Sequence, residues 1–220
     1  MPVCLHNYHY SVYGRIARVA LAEKGVDYET VEINPFAEDL PPSYLALNPF
    51  GRVPTLVHDQ TVIFETAAIT RYVDEAFPGP ALQPDTATDR ARMTQIIAII
   101  DSYGYWPMVR QVFSHRVFGP REGAPADEPA VQDGLKASPL VLQALEALAD
   151  DAAFLFGDRI SLADIHLAPM IAYFAQAPEG AALLGEYRKL SSWWGRLVAR
   201  PSLIATDPGL PEKDSAPQRR

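Results

Sequence analysis

Three short stretches carry residue types that could bind or activate a polar ligand. Ser11 stands just after a short apolar run, Val3 to Tyr8, and just before a helical pattern. A serine where a strand hands over to a helix can cap it; alternatively its hydroxyl and the first free amides can donate to an anion. The second stretch is Asn48-Pro49-Phe50-Gly51-Arg52-Val53-Pro54-Thr55-Leu56. A residue before proline is biased to an extended backbone, so Val53 can offer that backbone to an extended peptide by strand addition. A plain strand-start proline accounts for Pro54 equally well. The third is Phe64-Glu65-Thr66-Ala67-Ala68-Ile69-Thr70-Arg71-Tyr72-Val73. Glu65 and Thr66 open a helix, where the Thr66 amide and hydroxyl can receive a carboxylate and Glu65 can face an ammonium. The alternative for Glu65 is a first-turn acid that only complements the dipole.

Other reactive side chains carry less. A single cysteine, Cys4, excludes an internal disulfide, a CxxC pair and a cysteine zinc site, and its strand context predicts a small buried hydrophobe. His6, His9, His58, His115 and His166 have no metal-ligand spacing, so no metal is expected. Ser161 and Asp164 form a capping box with Ile160 and Ile165 as its staple, which specifies a helix start rather than chemistry. Arg15 and Arg18 read as a solvated helix face.

The elements that must position these residues come in two styles. Up to about residue 80 the pattern is β-α-β, a proline-bearing loop, then a hairpin and a closing helix. Ile16, Val19 and Ala20 share one face of the first helix, and Gly25 follows it as a C-terminal cap. One crossover followed by a hairpin gives a small mixed sheet with helices on its faces. After a linker at Pro78 to about Asp85 the rest is nearly all helical. Asp89 to Phe118 is expected as one long helix or two, bent at Gly104/Pro107; Gly119 to Gly134 as a loop; Ser138-Pro139 as the next helix start. Leu190 to Arg200 is the last amphipathic helix, around Trp193, Trp194, Leu197 and Val198. The fold class is therefore α/β plus all-α, with domains at 1–80 and 87–207 and a disordered tail at 208–220.

Composition fits a folded chain: 48% hydrophobic and 21% charged residues are ordinary for globular proteins. The 19 Lys and Arg against 27 Asp and Glu leave a net charge of −8, which argues against a nucleic-acid backbone as the main partner. Four lysines build no polybasic membrane patch, no apolar run approaches a spanning helix, and the N-terminus has no secretory pattern. A cytoplasmic protein without nucleic-acid or membrane partners is expected.

With Ser11 seven residues before Arg18, the Val53-Pro54 and Glu65-Thr66 stretches, and Ile160-Ser161-Leu162-Ala163-Asp164-Ile165, the chain resembles the cytosolic glutathione transferases. It is most similar to the serine-using phi class and its bacterial relatives, over essentially everything up to about residue 205. The resemblance implies a thioredoxin-like N-terminal domain, an all-helical C-terminal domain, and conjugation of glutathione thiolate to a hydrophobic electrophile. It implies Ser11 as the residue that stabilises the thiolate, and a cis Pro54. Glutathione would be held by Ser11, Arg52, Val53, Pro54, Glu65 and Thr66. Where phi-class proteins carry a basic stretch for the glycyl carboxylate, this chain has Asp39, Leu40 and Pro41, so Arg52 is the cation available. The electrophile is expected against Tyr10, Tyr105, Trp106, Arg110 and Phe113, and the protein as a homodimer. Two rivals stay open: glutathione-dependent peroxide or disulfide reduction on the same fold, and a non-catalytic dimerisation or binding module. Cysteine-nucleophile branches of the family would need Cys at position 11.

Overall fold

The computed structural model describes residues 2–212; the expected tail therefore lies mostly outside the described residues. Two compact units form, one running through Gln83 and taking back Pro201–Pro208, the other spanning Pro84–Arg200 and resuming at Gly209.

The first unit holds β1 (Val3–Asn7), α1 (Val12–Glu23), β2 (Tyr28–Glu32), α2 (Pro42–Leu45), β3 (Thr55–His58), β4 (Thr61–Phe64) and α3 (Thr66–Ala76). The sheet order is β2-β1-β3-β4, with β1 and β2 parallel and the other pairs antiparallel. This is the expected mixed sheet, a thioredoxin-like arrangement. Leu5 and Leu56 on the sheet and Ile16, Ala20, Ile69 and Val73 on α1 and α3 are fully buried together. Apolar residues at helical spacing form that shared face, which is what burial rewards. Gly25 follows α1 at φ +64°, a conformation only glycine adopts without cost. Lys24 Nζ donates to Asp74 Oδ1 (3.1 Å), while the same carboxylate accepts the Leu82 amide (2.8 Å). That buried ion pair ties α1, α3 and the following linker together.

The second unit is built from helices: α4 (Ala87–Ile99), α5 (Gly119–Arg121), α6 (Glu128–Leu148), α7 (Leu162–Phe174), α8 (Pro178–Gly185) and α9 (Arg188–Leu197). Between α4 and α5, residues Ile100–Phe118 stay helical but are wound wider, as a π-helix. Pro107 was expected to bend this stretch. Instead the stretch stays helical with Pro107 inside it, in i→i+5 winding of the kind seen where the Gly119 amide donates to the Ser114 carbonyl. The expected start at Ser138-Pro139 is also corrected. Asp127 caps α6 by accepting the Ala130 amide (3.1 Å), and Ser138 lies buried inside the helix with Oγ on the Gly134 carbonyl (2.8 Å). Asp127-Glu128-Pro129 carried the same cap-then-proline signal eleven residues earlier, within what read as loop.

Asp164 is fully buried and does more than cap α7. It accepts from the Ser161 amide (2.8 Å) and hydroxyl (2.6 Å), the Leu155 amide (2.8 Å) and Trp193 Nε1 (2.8 Å). Burial pushes its carboxyl up, and these four donors oppose that push. The helical domain was expected to run to 207; instead α10 (Pro201–Ala205) packs on α1 in the first unit.

Candidate functional site

Sheet register brings the three stretches to one place. His6 on β1 pairs with Thr55 at the start of β3, and Thr55 pairs with Phe64 at the end of β4. The chain therefore leaves β1 toward Ser11, enters β3 from Val53-Pro54 and leaves β4 into Glu65-Thr66, all at the same end of the sheet.

Ser11 caps α1. Its Oγ accepts the Gly14 amide (3.1 Å), a bond that uses an oxygen lone pair and leaves the hydroxyl proton to be donated elsewhere. The Ser11 amide donates to the Tyr8 carbonyl (2.8 Å), which sets the turn. Beside the cap lies Asn7, only 1% exposed. A β-carbon on Gly14 would stand 1.5 Å from Asn7 Oδ1, so this turn is built around the missing side chain. Asn7 was not picked out from the sequence; a glycine in the first turn of a helix was the signal that could have found it.

The Val53–Pro54 peptide is cis. The loop before it is held from inside by side chains that sequence reading passed over. The buried Tyr44 hydroxyl donates to the Arg52 carbonyl, Asn48 Nδ2 donates to the same carbonyl (2.9 Å), and both touch Thr55 Oγ1 (3.1 and 3.2 Å). Burial pushes the Tyr44 phenol up despite those hydrogen bonds, so it acts as a neutral donor. The Arg52 backbone is thereby fixed while its side chain is exposed.

Glu65 precedes α3 at φ +69°, ψ 116°, one of two non-glycine residues with positive φ among the described residues. Such a backbone costs about 1–3 kcal/mol and persists where the surroundings impose it. Its side chain is exposed and makes no capping bond to α3; the next residue, Thr66, is buried at the helix N-terminus.

The residues expected at an electrophile divide. Tyr10 is half-buried, edge-on to Tyr8 (5.9 Å) and His9 (4.7 Å) in the first unit. In the second unit Tyr105 and Arg110 are half-buried and Trp106 is exposed, but Phe113 is 5% exposed and stacks on Tyr173 at 4.6 Å. Phe113 is buried against Tyr173, which corrects its placement at the electrophile: it stands three residues after Arg110, and a step of three that shares a face at 3.6 residues per turn swings off it where the helix is wound wider. Arg15 is corrected likewise, being 2% exposed and bonded rather than solvated. Cys4 is half-buried, and burial with Glu29 nearby pushes its thiol up, away from reactivity. His166 is fully buried and desolvation lowers it to about 3, so it packs as a neutral ring. Among the described residues no group of His, Cys, Asp and Glu could hold a metal, and no helix is long and apolar enough to cross a membrane.

Comparison with known proteins agrees with this geometry. The family model described as "Glutathione S-transferase, N-terminal domain" matches residues 5–81, and "Glutathione S-transferase, C-terminal domain" matches 105–201. Glutathione S-transferase F10 of Arabidopsis thaliana is 34% identical over 84% of this chain and 86% of its own. Glutathione S-transferase 1 of Zea mays is 32% identical over 84% and 86%. Among solved structures, glutathione S-transferase III in apo form superposes with a TM-score of 0.81 at 30% identity, covering 94% of this chain and 95% of that one. Glutathione S-transferase I bound with lactoylglutathione gives 0.81 at 27% identity, covering 94% and 98%.

Proposed function

Because the chain belongs to the glutathione S-transferase family and is a glutathione-conjugating enzyme, we propose that the three junctions at one end of the sheet divide the tripeptide among them. The observation that carries this reading is the register His6–Thr55–Phe64, which gathers them. Val53 offers extended backbone to the cysteinyl residue, with Pro54 holding the approach. Thr66 receives the γ-glutamyl carboxylate at the N-terminus of α3, where unpaired amides and the dipole favour an anion. Glu65, displaced from helical geometry, faces the α-ammonium. Arg52 forks onto the glycyl carboxylate in place of the missing basic stretch at Asp39 and Leu40.

Ser11 then meets the sulfur. A free thiol ionises mostly above neutral pH, and a donor to the charged form lowers that value. The Gly14 amide polarises the serine hydroxyl, so its proton is a better donor to the thiolate than a solvated hydroxyl would be. The thiol proton is released to solvent, the thiolate held by Ser11 forms a sulfur–carbon bond to a hydrophobic electrophile, and the bond from that carbon to the leaving group breaks, the leaving group taking its electron pair. Tyr10 stays a candidate electrophile contact of the first unit, and Tyr105, Trp106 and Arg110 stay separate candidates of the second; Phe113, buried against Tyr173, does not. The names of the relatives favour conjugation over a non-catalytic module.

The test is Ser11→Ala. Glutathione affinity by calorimetry should hold within about twofold, while the pKa of the bound thiol rises by roughly 1–2 units, the worth of one charge-assisted hydrogen bond. An unmoved thiol titration would make Ser11 a helix cap and nothing more.

A further inference from the structure

The segment Pro201–Pro208, which joins the first unit after the whole helical unit has been laid down, fastens onto α1 at three points. Toward the C-terminal end of the helix, the Ser202 hydroxyl donates to Glu23 Oε1. In its first turn, Arg15 donates from one guanidinium nitrogen to the Leu203 carbonyl (2.9 Å), and that nitrogen stands 3.2 Å from Asp207 Oδ2. Ahead of the helix, His9 Nε2 donates to the Pro208 carbonyl (3.2 Å).

Two of these points converge on Ser11. The backbone amide of Arg15 donates to the Ser11 carbonyl (2.8 Å), and His9 lies two residues before the serine. His9 is fixed elsewhere too, by its amide on Glu32 Oε1 (2.8 Å) and its carbonyl under an Arg18 guanidinium nitrogen (3.4 Å). Burying a guanidinium is expensive even when it is paired, and a hydrophobic residue could fill the same space. What the arginine adds is a planar, directional group that fixes the distance between α1 and the returning segment.

We propose that Pro201–Pro208 is a positioning strap for Ser11, held through Arg15 and His9, and that it sets how well the serine hydroxyl meets the glutathione sulfur. The proposal rests on the reading of Ser11 as the thiolate donor. Arg15, Asp207 and His9 are positioning residues, acting through the serine.

A purely electrostatic role predicts opposite signs. If Arg15 acted only as a charge, Arg15→Lys would be silent, and Asp207→Asn would strengthen its field and lower the thiol pKa. The strap predicts that both variants, and a chain ended at Thr206, raise the pKa of bound glutathione. The rise should be about half a unit, with activity on a model aryl halide below neutral pH falling about threefold, the factor half a unit makes. Glutathione affinity should stay within about twofold. Thiolate absorbance across pH and calorimetry read these quantities, and Asp207→Asn and the shortened chain decide the matter if Arg15→Lys fails to fold. An unmoved or lowered thiol pKa in those two overturns the strap. Ser11→Ala run in parallel separates the failures. If it raises the pKa while the strap variants do not, only the strap falls; if it too is silent, the assignment of Ser11 falls and the strap with it.

Discussion

Glu65 shows how far one residue can depart from what its neighbourhood favours. It connects a strand to a helix with a positive φ that glycine would adopt freely. Glu65→Gly should therefore raise the unfolding free energy, by about 1 kcal/mol once the extra freedom of unfolded glycine is deducted. The same change should weaken glutathione binding by more than tenfold, because the ammonium loses its counter-charge. Denaturant unfolding and calorimetry measure the two effects; a variant that is less stable would show the backbone to be unstrained. Glu65 and Ser11 were legible because local chemistry, a helix start after a strand, marks them. Arg15 and Asn7 were not. Arg15 meets Leu203, 188 residues away in sequence, and no local pattern reports a partner that distant.

At the scale of elements, caps and periodicity read well wherever the helix was regular. Ser161-Asp164 announced α7 correctly, while its reach to Trp193 needed the folded helices. Asp164→Ala should cost roughly 3–5 kcal/mol, since it strands four donors that the buried carboxylate now satisfies. A loss below about 1 kcal/mol in urea melts would mean that water or relaxation replaces it. The two misread boundaries share a cause. Proline is a start signal at Pro129 and tolerated in the interior at Pro107 and Pro139, and only packing decides which. Close approach of α6 to the wide-wound segment illustrates that packing: a β-carbon on Gly134 would stand 2.6 Å from the Pro107 carbonyl.

For the whole molecule, stability should depend on pH through His166. Its folded value lies near 3 and its unfolded value near 6.5, so the unfolded chain binds the proton first. Stability is then complete above about pH 6.5 and is lost as pH falls toward 3, by about 1.4 kcal/mol per unit. Denaturation curves at several pH values should show that slope, and His166→Gln should flatten it; an equal slope in the variant assigns the effect to other groups. A homodimer is the expected assembly, two-fold pairing being the commonest for homo-oligomers, and light scattering at micromolar concentration checks it against a monomer mass. The division into a sheet unit and a helical unit was legible because strand signals alternate with helical ones up to about residue 80 and cease after it. The return of the last helix to the first unit was not, because its short apolar pattern suits either partner.

That return has a consequence for synthesis on the ribosome. Domains usually complete in the order they emerge. Here Arg15 and Asp207, whose side chains meet in the folded chain, are 192 residues apart. At roughly 5–20 residues per second, on the order of ten seconds separate the emergence of the two. The sheet unit thus spends that interval without the segment that packs on α1, and chains interrupted before Pro201 never acquire it. An interrupted chain leaves that face of α1 uncovered, and exposed surface of this kind is what chaperones and proteases engage.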